Sequence, residues 1–129
     1  HLSPNLAVTM WIALEDVEPE QGCVNYVQGS HRYGMRAHGR SGTLGFSQSI
    51  LDFGIPNDLA NARSFPCKAG HVIAHHSLTI HWADGNTSGN KTRQALGAVF
   101  FAEQCRVDEA AKAAYQARLD AELVASGKI

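Results

Sequence analysis

No apolar run in this 129-residue chain approaches the ~20 residues that a membrane-spanning helix needs, so the sequence offers no such helix. Excess charge is missing too. Eleven Lys and Arg against twelve Asp and Glu leave a net charge of -1, and no bulk field favours nucleic acid or an anionic membrane surface. Cysteine is scarce: Cys23, Cys67 and Cys105 are an odd number without metal-type spacing. They predict free thiols in a reducing, cytoplasmic compartment rather than a disulfide framework. No signal peptide is expected, so Asn86-Thr87-Ser88 and Asn90-Lys91-Thr92 are read as chance matches to the glycosylation sequon. The chain has no initiator methionine. It opens at His1 with a strand close behind, and is expected to be a piece of a longer protein.

What is present suits one small folded domain. Hydrophobic residues make up 44% of the chain, enough for a core. Ala7 to Leu14 is apolar, with β-branched and aromatic residues, and reads as a buried strand. An acidic turn follows from Glu15 to Glu20, then a short strand from Cys23 to Val27. Residues 31–64 are rich in Gly, Ser, Arg and Asn with little periodicity, and are expected to form a long loop or lid. His71 to Trp82 and Arg93 to Ala102 read as two further strands. Short strands with glycine turns argue for an antiparallel barrel or jelly roll over residues 1–106. Residues 107–129 are set apart as a C-terminal segment. Within it, Asp108 to Ser126 reads as a surface helix, capped by Asp108 and closed by Gly127, with Ala111, Tyr115, Leu119 and Leu123 facing inward and Arg118 paired with Glu122.

The histidines carry most of the chemistry. On one continuous strand His75 and His81 would share a face but lie roughly 20 Å apart at ~3.3 Å per residue, too far to bind one metal. His71, His75 and His76 are then expected to be structural hydrogen-bonders, and His31 and His38 to sit in loops. The alternation sets His81 opposite the apolar Leu78, Ile80 and Trp82, so it points into a more polar space. Arg93 opens an apolar strand. It either reaches water from the strand end or clamps a carboxylate near His81, since a guanidinium fork matches a carboxylate with two hydrogen bonds.

Three blocks of sequence resemble the phytanoyl-CoA dioxygenase family of iron(II)- and 2-oxoglutarate-dependent oxygenases. They are VTMWIALEDVEPEQGCVNYVQGSHRYG (8–34), AGHVIAHHSLTIHWADGNTS (69–88) and RQALGAVF (93–100), in that order. The resemblance implies a mainly β, double-stranded β-helix (a cupin-like jelly-roll barrel), incomplete at its N-terminus and followed by a C-terminal α-helix. It implies Fe(II) held by two histidines and a carboxylate, with His81 as the distal histidine. It also implies that Arg93 binds the far carboxylate of the cosubstrate 2-oxoglutarate. Trp11 stands where the family has an aromatic residue near the cosubstrate; plain core packing is the other reading of Trp11. The implied reaction couples oxidative decarboxylation of 2-oxoglutarate to hydroxylation of a small organic substrate.

The chain departs from the family pattern at two places. Ala83 replaces a small hydroxyl residue two positions after the distal histidine, which removes a hydrogen bond of about 0.5–1.5 kcal/mol. The family's His-x-Asp pair would fall before His1. Neither Asp84, expected on the opposite face to His81, nor Asp52, in the loop, is marked as its substitute. Two other readings stay open: a non-catalytic jelly-roll binding module, and a halogenase-like variant in which halide replaces the carboxylate. Arg32, Arg36 and Arg40 lie in a stretch with no acidic residue, between Gln21 and Leu51. They suit either an anionic substrate or a solvated loop that balances the acidic turn. Open sheet edges predict a homodimer or a strand-swapped assembly.

Overall fold

The computed structural model describes residues 2–43, 46–125 and 127. In chain order the elements are β1 (Leu2–Ser3), β2 (Ala7–Ala13), β3 (Val24–Val27), β4 (His38–Thr43), β5 (Phe46–Ile50), α1 (Pro56–Ala60), β6 (Ala62–Phe65), β7 (Val72–His76), β8 (His81–Ala83), β9 (Ala95–Phe101), β10 (Arg106–Val107) and α2 (Glu109–Ala125). Two antiparallel three-stranded sheets dominate, ordered β7-β2-β9 and β6-β3-β8, beside two-stranded pairs β1-β10 and β4-β5. The protein is thus mainly β with a C-terminal helix, in a jelly-roll arrangement. Among the described residues the strands do not close into a barrel, and β8 and β9 each have one unpaired edge.

The sheets meet over a small core. β3 is the central strand of its sheet and is buried along its whole length. Ala13, Val17, Cys23 and Cys67 form the apolar cluster beneath it, with Trp11 packed against them. Val17 and Cys67 exchange backbone hydrogen bonds of 2.8 and 2.9 Å. That bridge ties the chain after β2 to the chain before β7. All three cysteines are free thiols. No described helix is long and apolar enough to cross a membrane.

Three expectations need correction. The stretch 31–64 is not one irregular loop: it forms the β4-β5 hairpin, α1 and β6. Its organising contact is the fully buried Asp58, which accepts bonds of 2.9 and 2.8 Å from Nη1 of Arg36 and one of 3.1 Å from the Gly54 amide. The expected strand from His71 to Trp82 is broken between His76 and His81. Polar side chains there offer the backbone an alternative to the ladder. The His76 ring accepts from the Leu78 amide at 3.0 Å, the Thr79 amide donates to the His76 carbonyl at 2.9 Å, and the Ser77 hydroxyl bonds Asn5 Oδ1 at 2.8 Å. The chain thereby crosses from one sheet to the other. Finally, Arg118 lies over the Tyr115 ring, while Glu122 pairs at 3.2 Å with Arg40.

The rest of α2 follows the sequence. Asp108 Oδ1 accepts from the Ala111 amide at 2.9 Å, and Gly127 closes the helix at φ +66. Ala111, Tyr115, Leu119 and Leu123 form its partly buried stripe.

Candidate functional site

β8 and β3 pair so that His81 stands opposite Tyr26, and β2 and β7 pair so that His75 stands opposite Thr9. The turn between β7 and β8 then folds His75 back against His81. Their ring centres are 4.6 Å apart. The expectation that these two histidines lie at opposite ends of one strand is overturned, because they belong to different sheets that face each other.

Tyr26 completes the cluster. Its hydroxyl lies 3.1 Å from Nδ1 of His75, and its ring stacks on His81 at 5.9 Å and meets Phe65 edge-on at 5.4 Å. Burial, helped by the neighbouring His81, pushes the pKa of His75 down to about 4. Burial, with a smaller contribution from Cys67, raises Tyr26 to about 12. At neutral pH the inner face therefore carries a neutral imidazole beside an un-ionised phenol.

His81 is held through one ring nitrogen. Its Nδ1 lies 2.8 Å from the Thr79 carbonyl oxygen. A carbonyl can only accept, so Nδ1 carries the proton and Nε2 keeps its lone pair for a cation. Ile80, the preceding residue, is fixed on both sides: its amide donates to the buried Ser30 hydroxyl at 2.8 Å, and its carbonyl accepts from the Val27 amide at 2.9 Å. Among the described residues no three His, Cys, Asp or Glu side chains gather around one metal-sized point.

Arg93 lies two residues before β9, not within it. Its hydrogen bonds all run through Nη1, to the carbonyl oxygens of Gln21 (3.3 Å), Asp84 (3.1 Å) and Gly22. Asp84 follows β8 directly, three residues beyond His81, so the guanidinium is held at the strand's C-terminal end. Gly22 makes this approach possible. It has φ +74, and a Cβ there would strike both the Asp84 carbonyl oxygen and Nη1 of Arg93. The acidic turn fixes the backbone on either side. Glu15 accepts from the Thr92 hydroxyl at 2.7 Å and from the Gln94 amide at 2.5 Å, while buried Gln21 donates to the Thr92 carbonyl at 2.6 Å.

The remaining candidates are placed as follows. Trp11 sits at mid-β2, opposite Ile73 and Gly97, and packs on the core cluster. Asp52 pairs with Arg36 at 2.9 Å. The Asp84 carboxylate accepts from Asn25 at 3.3 Å. Of the three loop arginines, Arg36 and Arg40 are engaged with carboxylates. The acids of the 15–20 turn are balanced by Lys68 and Lys91 instead. An open cleft of about 520 Å³ runs along that turn, but neither His81 nor Arg93 lines it. Sequence reasoning missed Tyr26, Ser30, Gln21 and the role of Glu15, whose partners His75, Ile80, Thr92 and Gln94 lie far away along the chain.

Solved structures with this fold define a class, the non-heme α-ketoglutarate-dependent enzymes. The epimerase SnoN from nogalamycin biosynthesis, in complex with Fe3+, alpha ketoglutarate and nogalamycin RO, matches with a TM-score of 0.63 and 29% identity, over 81% of this chain and 39% of that one. The carbocyclase SnoK from the same biosynthesis matches with a TM-score of 0.53 and 32% identity, over 78% of this chain and 40% of that one. Residues 1–95 match the phytanoyl-CoA dioxygenase (PhyH) family model. The chain belongs to that family. Two similar proteins are the phytanoyl-CoA dioxygenase domain-containing protein 1 homologs of Caenorhabditis elegans and Caenorhabditis briggsae, 29% and 28% identical over 93 residues. The match takes in 67% of this chain and 31% of each of those proteins, so the chain spans about a third of their length.

Proposed function

We propose that this chain forms part of an iron(II)- and 2-oxoglutarate-dependent dioxygenase that hydroxylates a small organic substrate. One observation carries the reading. The Nε2 lone pair of His81 and the carbonyl-clamped guanidinium of Arg93 are fixed at the two ends of one short strand and the turn that follows it. Membership of the PhyH family and the iron- and ketoglutarate-bound SnoN structure support it.

The residues fit the group. His81 would hold iron through Nε2. Arg93, held through Nη1, presents the rest of its fork to the far carboxylate of 2-oxoglutarate. Iron supplies the oxidative chemistry with oxygen, and 2-oxoglutarate supplies electrons. The protein's contribution is placement. Thr79 sets the His81 tautomer, Gly22 and Glu15 set the arginine, and the buried Tyr26 backs the two histidine rings. Trp11 packs on the core cluster, which favours a packing role over direct contact with the cosubstrate. An anionic substrate would rely on Arg32, since Arg36 and Arg40 already have carboxylate partners.

Anaerobic titration with iron(II) and 2-oxoglutarate tests the proposal. The visible charge-transfer band of the chelate is expected to saturate, to vanish in His81→Gln, and to need at least tenfold more 2-oxoglutarate in Arg93→Gln. No band at saturating ligand, in this chain and in one extended upstream alike, would overturn the reading.

A further inference from the structure

We propose that Asn25 is a positioning residue that keeps Arg93 available to a carboxylate ligand, by holding the Asp84 side chain on the opposite face of its sheet. The inference rests on the reading of Arg93 as the clamp for the far carboxylate of 2-oxoglutarate. It adds the residue that keeps an internal carboxylate out of that clamp.

An arginine beside an aspartate ordinarily pairs with its carboxylate. Arg93 does not. Its Nη1 takes the backbone carbonyl of Asp84 at 3.1 Å, while the carboxylate of the same residue accepts from Nδ2 of Asn25 at 3.3 Å. Among the described residues that carboxylate has no other partner. Asn25 lies on β3, opposite Ser64 of β6 and Trp82 of β8. Neighbours along a strand face opposite ways, so Asn25 is on the reverse of the face where Tyr26 stacks on His81. The Asp84 side chain is drawn to that reverse face, and its carbonyl stays with the guanidinium.

The Asn25 amide is fully committed. It is 6% exposed. Its Oδ1 accepts from the Ser64 hydroxyl at 2.5 Å, and its two Nδ2 hydrogens go to the Cys23 carbonyl and the Asp84 carboxylate, each at 3.3 Å. Two donors and an acceptor oxygen are all that an amide has, so it cannot turn over without stranding a buried group. The other residues of β3 are Val24, Tyr26 and Val27, and an apolar side chain at position 25 would avoid the cost of burying an amide. The polar choice is what holds Asp84. With Asn25 removed, the freed carboxylate belongs to the residue whose carbonyl already touches Nη1. Rotation about its side-chain bonds brings it to the guanidinium, where it competes with an external carboxylate for the same fork.

Two readouts test this. The first needs no ligand: the guanidinium Nε–H resonance of Arg93, assigned by its loss in Arg93→Gln. The second is 2-oxoglutarate binding, followed by the charge-transfer band in this chain and in one extended upstream. Asn25→Ala should move the resonance and weaken 2-oxoglutarate binding roughly fivefold, the upper range for an exposed ion pair. Adding Asp84→Asn should return both readouts toward wild type, because the competing charge is gone. Damage to β3 alone would not be repaired that way. Ser64→Ala, at an exposed position, loosens the amide without removing it. It should move both readouts in the same direction by less, and it decides the matter if Asn25→Ala fails to fold. An unmoved resonance in the folded variants, or a shift that Asp84→Asn does not reverse, would overturn the proposal. If the resonances behave as expected but 2-oxoglutarate binds to neither chain, Asn25 still holds Asp84 off Arg93, and it is the reading of Arg93 as the cosubstrate clamp that falls.

Discussion

Replacing Ser30 with alanine tests how His81 is held. Ser30 is fully buried, and its hydroxyl oxygen accepts the amide proton of Ile80, itself 7% exposed, at 2.8 Å. Alanine removes the acceptor at a fully buried position. The penalty is that of an unsatisfied buried N–H, about 1–3 kcal/mol. That is a large share of the roughly 5–15 kcal/mol that stabilises an ordinary domain. Urea denaturation should show a lower midpoint with an unchanged slope, and native-state hydrogen exchange should show the Ile80 amide losing protection. Ser49→Ala, on the exposed side of β5, should stay within about 0.5 kcal/mol of wild type. If Ser30→Ala also falls within that margin and Ile80 stays protected, the hydroxyl is not what fixes the turn.

Three further outcomes are expected. Asp58→Ala should cost about 1–3 kcal/mol in the same denaturation assay, because the buried acceptor of Arg36 and of the Gly54 amide is lost while Arg36 keeps its pair with Asp52. Since burial lowers the His75 pKa to about 4 in the folded chain, against its ordinary 6.5, the unfolded chain binds more protons between those pH values. Stability should then fall as pH drops from about 6.5 to 4, by at most about 3 kcal/mol. Subtracting the profile of His75→Gln from that of wild type isolates this slope from the carboxylates. Gly22→Ala forces a side chain into the left-handed region and against Nη1 of Arg93. It should destabilise the fold by more than about 1 kcal/mol and weaken 2-oxoglutarate binding, both readable by titration.

Some of this was legible in the sequence for plain reasons. β2 and β9 are unbroken apolar runs of strand-forming residues, and α2 combines a cap, a helical stripe and a closing glycine. Local pattern suffices for those. Other features depend on partners remote in the chain. The break after His76 is fixed by Asn5 and Ser30, respectively about 70 and 50 residues away from their bonding partners. Periodicity counted along one strand could not foresee it, and so set His75 and His81 far apart. The order of the 31–64 stretch hangs on one buried carboxylate, Asp58, in a segment whose composition looks like loop. Arg93 was legible as a candidate from its place after His81, but its clamp was not. The acidic stretch, read only as a turn, supplies through Glu15 the bonds that hold the arginine's neighbours.

The four residues between β7 and β8 also lock the alignment of the whole molecule. β7 is zipped to β2 over five registered pairs, and β8 to β3 over three. With so short a connector, a slip of one residue in either ladder must be matched in the other or absorbed in a turn that Ser30 and Asn5 already pin. Such a slip would turn Trp82 inward and His81 outward, since neighbours along a strand face opposite ways. Misaligned pairing therefore carries a double penalty, paid in both sheets at once. Deleting a single residue from 77–80 should exchange the identity of the inward-facing side chain while leaving both sheets recognisable.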